Sequence, residues 1–437
     1  MNFEEALGYL LSLGHETLAI KLGLDNTERL LASLGHPESS YPSIQIAGTN
    51  GKGSTASMLE AIFRAAGIKT GLYTSPHLVS ITERIRIDGS EISTQEFAQL
   101  ATLVRDASAE LEKTTGALPT FFEQVTAIAL LAFRTARVEL SILETGLGGR
   151  LDATTAVGAA VAAITPIAFD HQEYLGHTLA EIAAEKAAII RARITRAVVL
   201  ALPQQPEAEE IILRRCAEAG VVPRLATRDI RVEGVCDTGR LRATFVTPSA
   251  VYENVCLALR GRHQLTNAAL AVALAETLAE RGFTLSHEHI VEGLEGARHA
   301  GRLELHTDKT PPILFDGAHN PEGARALRQY LDEFVTSPLT LVFGAMRDKE
   351  LSAIAETLFP AARLLILTQP DNPRAASPES LLSIVPSTLE SCKITLAPSA
   401  LEALSLARRE TPPNGLICVT GSLYLVGEML KAVTSDE

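Results

Sequence analysis

"AGTNGKGST", residues 47–55, decides how the fold is read. A Walker A loop runs G-x-x-x-x-G-K-[ST], with the hydroxyl directly after the lysine, whereas here Gly53 separates Lys52 from Ser54. The segment follows an apolar strand, "SIQIAG", and leads into "STASMLEAIFRAAG", a helix read from Ser54 onward. A strand, a glycine turn and a helix N-terminus are the context of a phosphate cradle, because free backbone N–H groups and the positive end of the helix dipole face one point. Gly48, Gly51, Gly53, the mobile charge of Lys52 and three hydroxyls favour that reading over a turn whose glycines only permit tight geometry. The displaced hydroxyl leaves the source of a magnesium ligand open.

Outward from this loop the pattern alternates. "KTGLYTS" reads as a strand, "ERIRIDG" as an extended piece, "FFEQVTAIALLAFRTA" as a helix, and "VELSILETG" and "AAVAAIT" as strands apolar along nearly their whole length. Leucines at helical spacing mark N-terminal helices, and residues 225–259 break the rhythm as a small antiparallel insert. Helices follow over 264–280 and 286–295, then a boundary near 297–301. A second block alternates from "PILFDGAHN" through "LTLVFGA", "RLLILTQ" and "KITLA" to "GLICVTG". The pattern predicts two α/β domains in series, 1–297 and 298–437, each built on a parallel sheet.

The chain has 437 residues, an apolar fraction of 46% and a formal net charge of -13, which argues against a nucleic-acid binder because phosphate contacts need clustered Lys and Arg. Five cysteines in no zinc or C-x-x-C spacing read as reduced thiols. The first residues carry two glutamates where a signal peptide needs positive charge, and the Ala-rich stretch 156–169 is too short to span a bilayer. A cytoplasmic protein without membrane partners is expected.

The candidate chemistry lies at strand ends, where open α/β sheets bind ligands. Glu144 ends "SILE" ahead of a glycine turn; it reads equally as a metal ligand or as a turn cap or partner of Arg150. A dinucleotide fingerprint fails there, since Leu151 stands where glycine is needed. His171, after the next strand, could converge with Glu144 on one ion. Lys186 lies in a helix, where a surface pair with Glu185 or Glu181 is the plain alternative. Asn267 reads as an N-cap, and Asp316 as an N-cap or turn residue or, beside His319, equally as a ligand contact, ahead of a helix that opens at Pro321.

In order, "GTNGKGST", "YTSPHL", "TFFE", "ETGLGGRLDAT", "DHQEYLGHTLAEIAAEKAAI", "GRLE", "DGAHNP" and "VFGAMRDK" resemble the folylpolyglutamate synthase and dihydrofolate synthase family of the Mur ligase superfamily, from about Lys21 to Lys349. The resemblance implies an α/β fold: an N-terminal P-loop-containing, parallel-sheet ATPase domain of Mur ligase type and a smaller Rossmann-like C-terminal domain. It accounts for the opening loop, since the family uses G-T-N-G-K-G-[ST]. It implies ATP contacts at Gly48, Thr49, Asn50, Gly51, Lys52, Gly53, Ser54 and Thr55, and at Asn267, Arg302, Asp316 and His319. It further implies magnesium, two ions, at Ser75, Glu144 and His171, with Lys186 carbamylated as an N6-carboxylysine that supports the second ion. Pterin-binding positions match Leu22, Gly23 and Leu24, then Thr120, Phe121, Phe122 and Glu123, then Leu151, Asp152 and Ala153.

Three departures stand out: Thr155 where the family usually has Asn, Ala188 where it has Gly, and His299-Ala300 where it has Trp-Pro or similar, in a chain with no Trp. The last is expected to bear on the hinge more than on the chemistry. The implied reaction is ATP-dependent amide formation between L-glutamate and dihydropteroate or a reduced folate, with catalytic roles for Lys52, Lys186 and His171, by a bifunctional monomer. The rivals are a folylpolyglutamate synthase alone, a Mur-type cell-wall ligase, disfavoured by a phosphate loop that begins at residue 48, and a non-catalytic nucleotide-binding module.

Overall fold

The computed structural model describes residues 1–14, 23–387, 389 and 392–435, and among these it contains three sheets. The first is built from β1 (Ser43–Ala47), β2 (Thr70–Tyr73), β3 (Ile85–Ile87), β4 (Ser90–Glu91), β5 (Leu140–Glu144), β6 (Val161–Ile164), β7 (Ala197–Leu200) and β8 (Arg224–Leu225). Their order is β4-β3-β2-β5-β1-β6-β7-β8, parallel except at the β3–β4 edge. The central strands β1, β2, β5 and β6 are buried at every position, which is why they read as unbroken apolar runs: helices cover both faces. One face packs helices Lys52–Ala65 and His263–Ala279, the other Leu179–Ala187 and Pro206–Ala219.

The expected insert is an antiparallel sheet of β9 (Ile230–Asp237), β10 (Arg240–Val246) and β11 (Val251–Cys256). Its Leu241, Phe245, Tyr252 and Val255 join the core beneath helix His263–Ala279. Its β9–β10 turn reaches the second half of the chain, where the Tyr330 hydroxyl donates to Thr238 O at 3.3 Å. Here the expectation of five reduced thiols fails. Cys236 on β9 and Cys256 on β11 form a disulfide across the sheet, while Cys216, Cys392 and Cys418 are free. The two cysteines flank β10 from either side, near the register shift between Arg240 and Leu241.

After helix His287–Gly296 the chain enters the third sheet: β12 (Glu304–His306), β13 (Ile313–Phe315), β14 (Leu339–Phe343), β15 (Leu364–Leu367), β16 (Lys393–Leu396) and β17 (Leu416–Thr420). The order is β12-β13-β17-β14-β15-β16, parallel except for β12. Its two faces carry separate cores, one around Leu327, Phe343 and Phe359, the other around Phe315, Val419 and Met429. The C-terminal α/β expectation holds, with the antiparallel edge strand β12 in addition. Helix Thr94–Thr115 and strand β7 carry no chemical motif and were not anticipated. No helix of the described residues is long and apolar enough to cross a membrane.

Candidate active site

The loop after β1 passes into a helix that starts at Lys52, two residues before the expected Ser54. Gly51 is its N-cap at φ 90 and no side chain caps it, so first-turn N–H groups stay available to an anion. Glycine is required by space as well as by angle. A Cβ on Gly48 (φ +146) would stand 1.8 Å from Thr165 Oγ1, and one on Gly51 would stand 2.2 Å from Asn267 Oδ1. Thr49 anchors the loop to the segment after β6, its Oγ1 donating to Ala168 O and accepting from Ala168 N, both at 3.0 Å.

Asn267 is therefore not the N-cap its sequence context suggested. It lies buried inside helix His263–Ala279, against the loop, with its Nδ2 donating to Gln264 Oε1 at 2.8 Å. Gln264 in turn donates to Ser54 Oγ at 3.3 Å. Sequence reading missed Gln264; the signal was its spacing three residues before Asn267, which puts both amides on one helix face.

Lys52 Nζ lies 3.2 Å from Thr49 O and 4.0 Å from Glu144 Oε1. Glu144 does not pair with Arg150, which bonds Glu185 at 2.8 Å instead. It sits beside Ile46 in the β1–β5 register, and the Ser75 amide donates to its Oε2 at 3.3 Å. Burial pushes the Glu144 carboxyl above its ordinary value, with Lys52 and the Ser75 amide pulling back only in part. This is a carboxylate short of positive charge.

Lys186 is not a surface residue. It is 4% exposed, and its Nζ donates to Gly48 O at 2.8 Å. Burial, then the neighbouring Lys52, pushes its amine down to about 7. His171 adopts a left-handed conformation (φ 50) ahead of the short helix Gln172–Leu175 and faces Asp170 at 3.8 Å. Burial pushes its imidazole down to about 3, with Lys186 among the contributing charges. Ser75 thus stands against Glu144, and Ser75 and His171 both line the same cleft. Among the described residues no three His, Cys, Asp or Glu side chains close into a metal cage.

The second sheet presents the start of helix Pro321–Phe334, with Asn320 as N-cap and Pro321 as its first residue. Asp316 is a turn residue: its oxygens accept from Leu303 N and Ala318 N, each at 3.0 Å. Arg302 lies between the sheets, its charge acting on the carboxyls of both Glu144 and Asp316. His319 bonds Gly317 O at 2.7 Å and approaches Asp170 at 3.6 Å. Asp170 also receives Lys349 Nζ at 2.8 Å and Asn320 Nδ2 at 3.3 Å, while Asn320 donates to Asn50 of the loop at 3.1 Å. Burial alone would raise the Asp170 carboxyl, but the His319 contact and the charges of His171, His319 and Lys349 hold it well below the usual range.

Between the two halves lies a cleft of about 610 Å³. Gly23, Thr120, Phe122, Glu123, Leu151, Asp152 and Ala153 line one wall with Ser75 and His171; His319, Met346, Lys349, Arg374, Ser422 and Tyr424 line the other. Phe121 does not belong to it, being 4% exposed in the core under the Arg84 guanidinium. Leu24 lies outside the lining, as the N-cap of helix Asp25–Ser33, and Leu22 lies outside the described residues. Thr120 and Glu123 form a capping box, and Asp152 accepts from Gly146 N, Leu147 N and Thr154 N. These carboxylates hold the shape of the wall.

Several buried hydroxyls have no partner: Thr55, Ser75, Thr145 and Thr165 around the phosphate loop, and Thr368 and Thr420 at the ends of β15 and β17. Orphaned donors are costly unless a ligand meets them, and these gather at the carboxyl ends of two parallel sheets.

A phosphate loop and a second α/β half face each other across a cleft, the two-lobed arrangement of the Mur ligases, which are ATP-dependent amide ligases. The Mur ligase middle domain family matches residues 46–275, and the Mur ligase glutamate ligase domain family matches 301–423. The dihydrofolate synthase/folylpolyglutamate synthase of Bacillus subtilis (strain 168) is 34% identical over 96% of each chain. The solved Mycobacterium tuberculosis folylpolyglutamate synthase complexed with ADP superposes with a TM-score of 0.89 at 31% identity, covering 98% of both chains. Escherichia coli FolC in complex with DHPP and ADP gives 0.86 at 29% identity, covering 100% of this chain and 98% of that one. The chain belongs to the dihydrofolate synthase/folylpolyglutamate synthase family of Mur ligases.

Proposed function

We propose that the enzyme uses ATP to join L-glutamate to dihydropteroate and to the γ-carboxylate of reduced folates. The observation that carries this reading is the gathering of Lys52, Glu144 and Ser75 at an uncapped helix N-terminus, with Ser75 also lining the interlobe cleft. A carboxylate does not acylate an amine at neutral pH because its oxygen is a poor leaving group. Attack of that oxygen on the γ-phosphorus releases ADP and gives an acyl phosphate. The α-amine of glutamate then attacks the carbonyl, phosphate departs, and the nitrogen loses a proton.

In this reading the loop N–H groups and Lys52 hold the triphosphate, and Arg302 brings charge from the second lobe as the phosphoryl group moves. Phe122, Leu151 and Ala153 give the flat heterocycle an apolar wall, with Glu123 and Asp152 behind it. Magnesium fits the donors, since Ser75 Oγ is buried without a partner beside an under-compensated carboxylate; when bound it neutralises phosphate charge. Lys186, with its depressed amine, suits capture of carbon dioxide as a carbamate. Residues 1–297 and 298–437 act as the two lobes of one cytoplasmic monomer, a single chain supplying both walls.

On the second-lobe wall, Arg374 lines the cleft with a buried Nε that has no protein partner. It is suited to a glutamate carboxylate. Arg374→Ala is expected to raise the KM for glutamate about ten-fold, the value of one charge-assisted hydrogen bond, with the KM for ATP unchanged; equal shifts in both would rule out this role.

The function itself is tested with purified protein, ATP, glutamate and one acceptor at a time, following ADP release and product mass. Both acceptors should give ADP and a product one glutamate longer. Turnover with a reduced folate but none with dihydropteroate would remove the synthase half, and none with either would remove the reading.

A further inference from the structure

His299 occupies the position where the family usually has Trp and was expected to concern the hinge. In the fold it reaches the phosphate loop. Its Nδ1 lies 3.3 Å from Ser57 Oγ, on the helix that the loop feeds. Its Nε2 edge faces Gly53 so closely that a Cβ there would stand 2.7 Å from Nε2, and the same point is 3.2 Å from Glu144 Oε2. Burial holds the imidazole well below the ordinary histidine range, with Arg302 and Arg86 adding to the effect.

Four residues later the chain is tied just as closely to the second lobe. Gly317 N donates to Gly301 O at 2.9 Å, and Leu303, in a left-handed conformation (φ 48), donates its N–H to Asp316 Oδ2 at 3.0 Å. Residues 299–303 are therefore a short strap, one end against Gly53 and the other on Asp316, with Arg302 between.

We propose that His299 is a positioning residue for the nucleotide: it sets Gly53 and the first turn of the phosphate-loop helix at a fixed distance from Arg302 and Asp316. The proposal rests on residues 47–55 being the phosphate loop. With His299 cut back, the loop loses the wall over Gly53, and Arg302 loses its fixed reach to the same phosphates. The acceptor wall, built from Thr120, Phe122, Glu123 and residues 151–153, is untouched by the change.

The test compares His299→Ala, His299→Gln, Ser57→Ala and Lys52→Ala by titration with a non-hydrolysable ATP analogue and by steady-state kinetics. His299→Ala should weaken analogue binding and raise the KM for ATP at least ten-fold, leaving the KM for the folate acceptor within two-fold. His299→Gln, which can still bond Ser57, should recover most of the loss, and His299→Ala with Ser57→Ala should lose no more than His299→Ala alone. Unchanged analogue affinity in a folded His299→Ala, or equal shifts in every KM, overturns the proposal. If His299→Ala does not fold, unaltered analogue affinity in Ser57→Ala overturns it instead. Normal analogue binding by Lys52→Ala would fault the phosphate-loop reading, a separate outcome.

Discussion

Lys52→Ala is expected to lower kcat/KM for ATP by about 10²–10³, the scale of removing one preorganised charge from a transferring phosphoryl group. The lysine lies 4.0 Å from Glu144 and is the largest influence opposing the upward push of burial on that carboxyl. Removing it takes a cation from the triphosphate and leaves a buried carboxylate less compensated. Steady-state kinetics and analogue titration measure the two effects. Turnover within ten-fold of the parent would show that the lysine is not at the reacting phosphate.

The second large effect belongs to Lys186. With an ordinary value of 10.5 pushed down to about 7, its amine becomes neutral as pH rises through about 7, and only the neutral form can add carbon dioxide, releasing a proton as the carbamate forms. Lys186→Ala should lower turnover by about 10² while retaining ATP-analogue affinity, because the group acts on developing charge. Parent activity should rise with pH through about 7 and with added bicarbonate, and the native mass should exceed the denatured mass by one carbon dioxide. Loss of analogue binding together with turnover, or no response to bicarbonate, would remove the carbamate.

The same group sets a stability window. Between about 7 and 10.5 the unfolded chain holds the proton and the folded chain releases it, so stability rises with pH there; below about 7 both hold it and the cost of burying the charge is complete. Lys186→Met should therefore gain most in Tm, relative to the parent, below about 7, and the gain should vanish above 10.5.

What the sequence revealed depended on whether a residue's role was local. β1, β5 and β6 were legible because strands covered on both faces must be apolar throughout. The loop was legible because strand, glycines and helix are contiguous. Lys186 was ambiguous, since helical spacing cannot tell a surface lysine from one that donates to Gly48 O across 138 residues. Asn267 resembled a cap for the same reason: its Oδ1 lies against Gly51, far away in sequence. Thr120, Glu123 and Asp152 matched as binding residues, yet each first answers a nearby backbone N–H, a demand that local motifs meet wherever they occur. The Cys236–Cys256 bond and the reach of His299 depend on strand register and the path of a linker, which no periodicity records.

Asp170 and Lys349 face each other across the lobes with side chains 8% and 11% exposed. Dissolved ions screen charges they can surround, and these two are largely out of their reach. The alignment of the halves is consequently insulated from ionic strength, whereas capture of a free, highly charged nucleotide from solution is not.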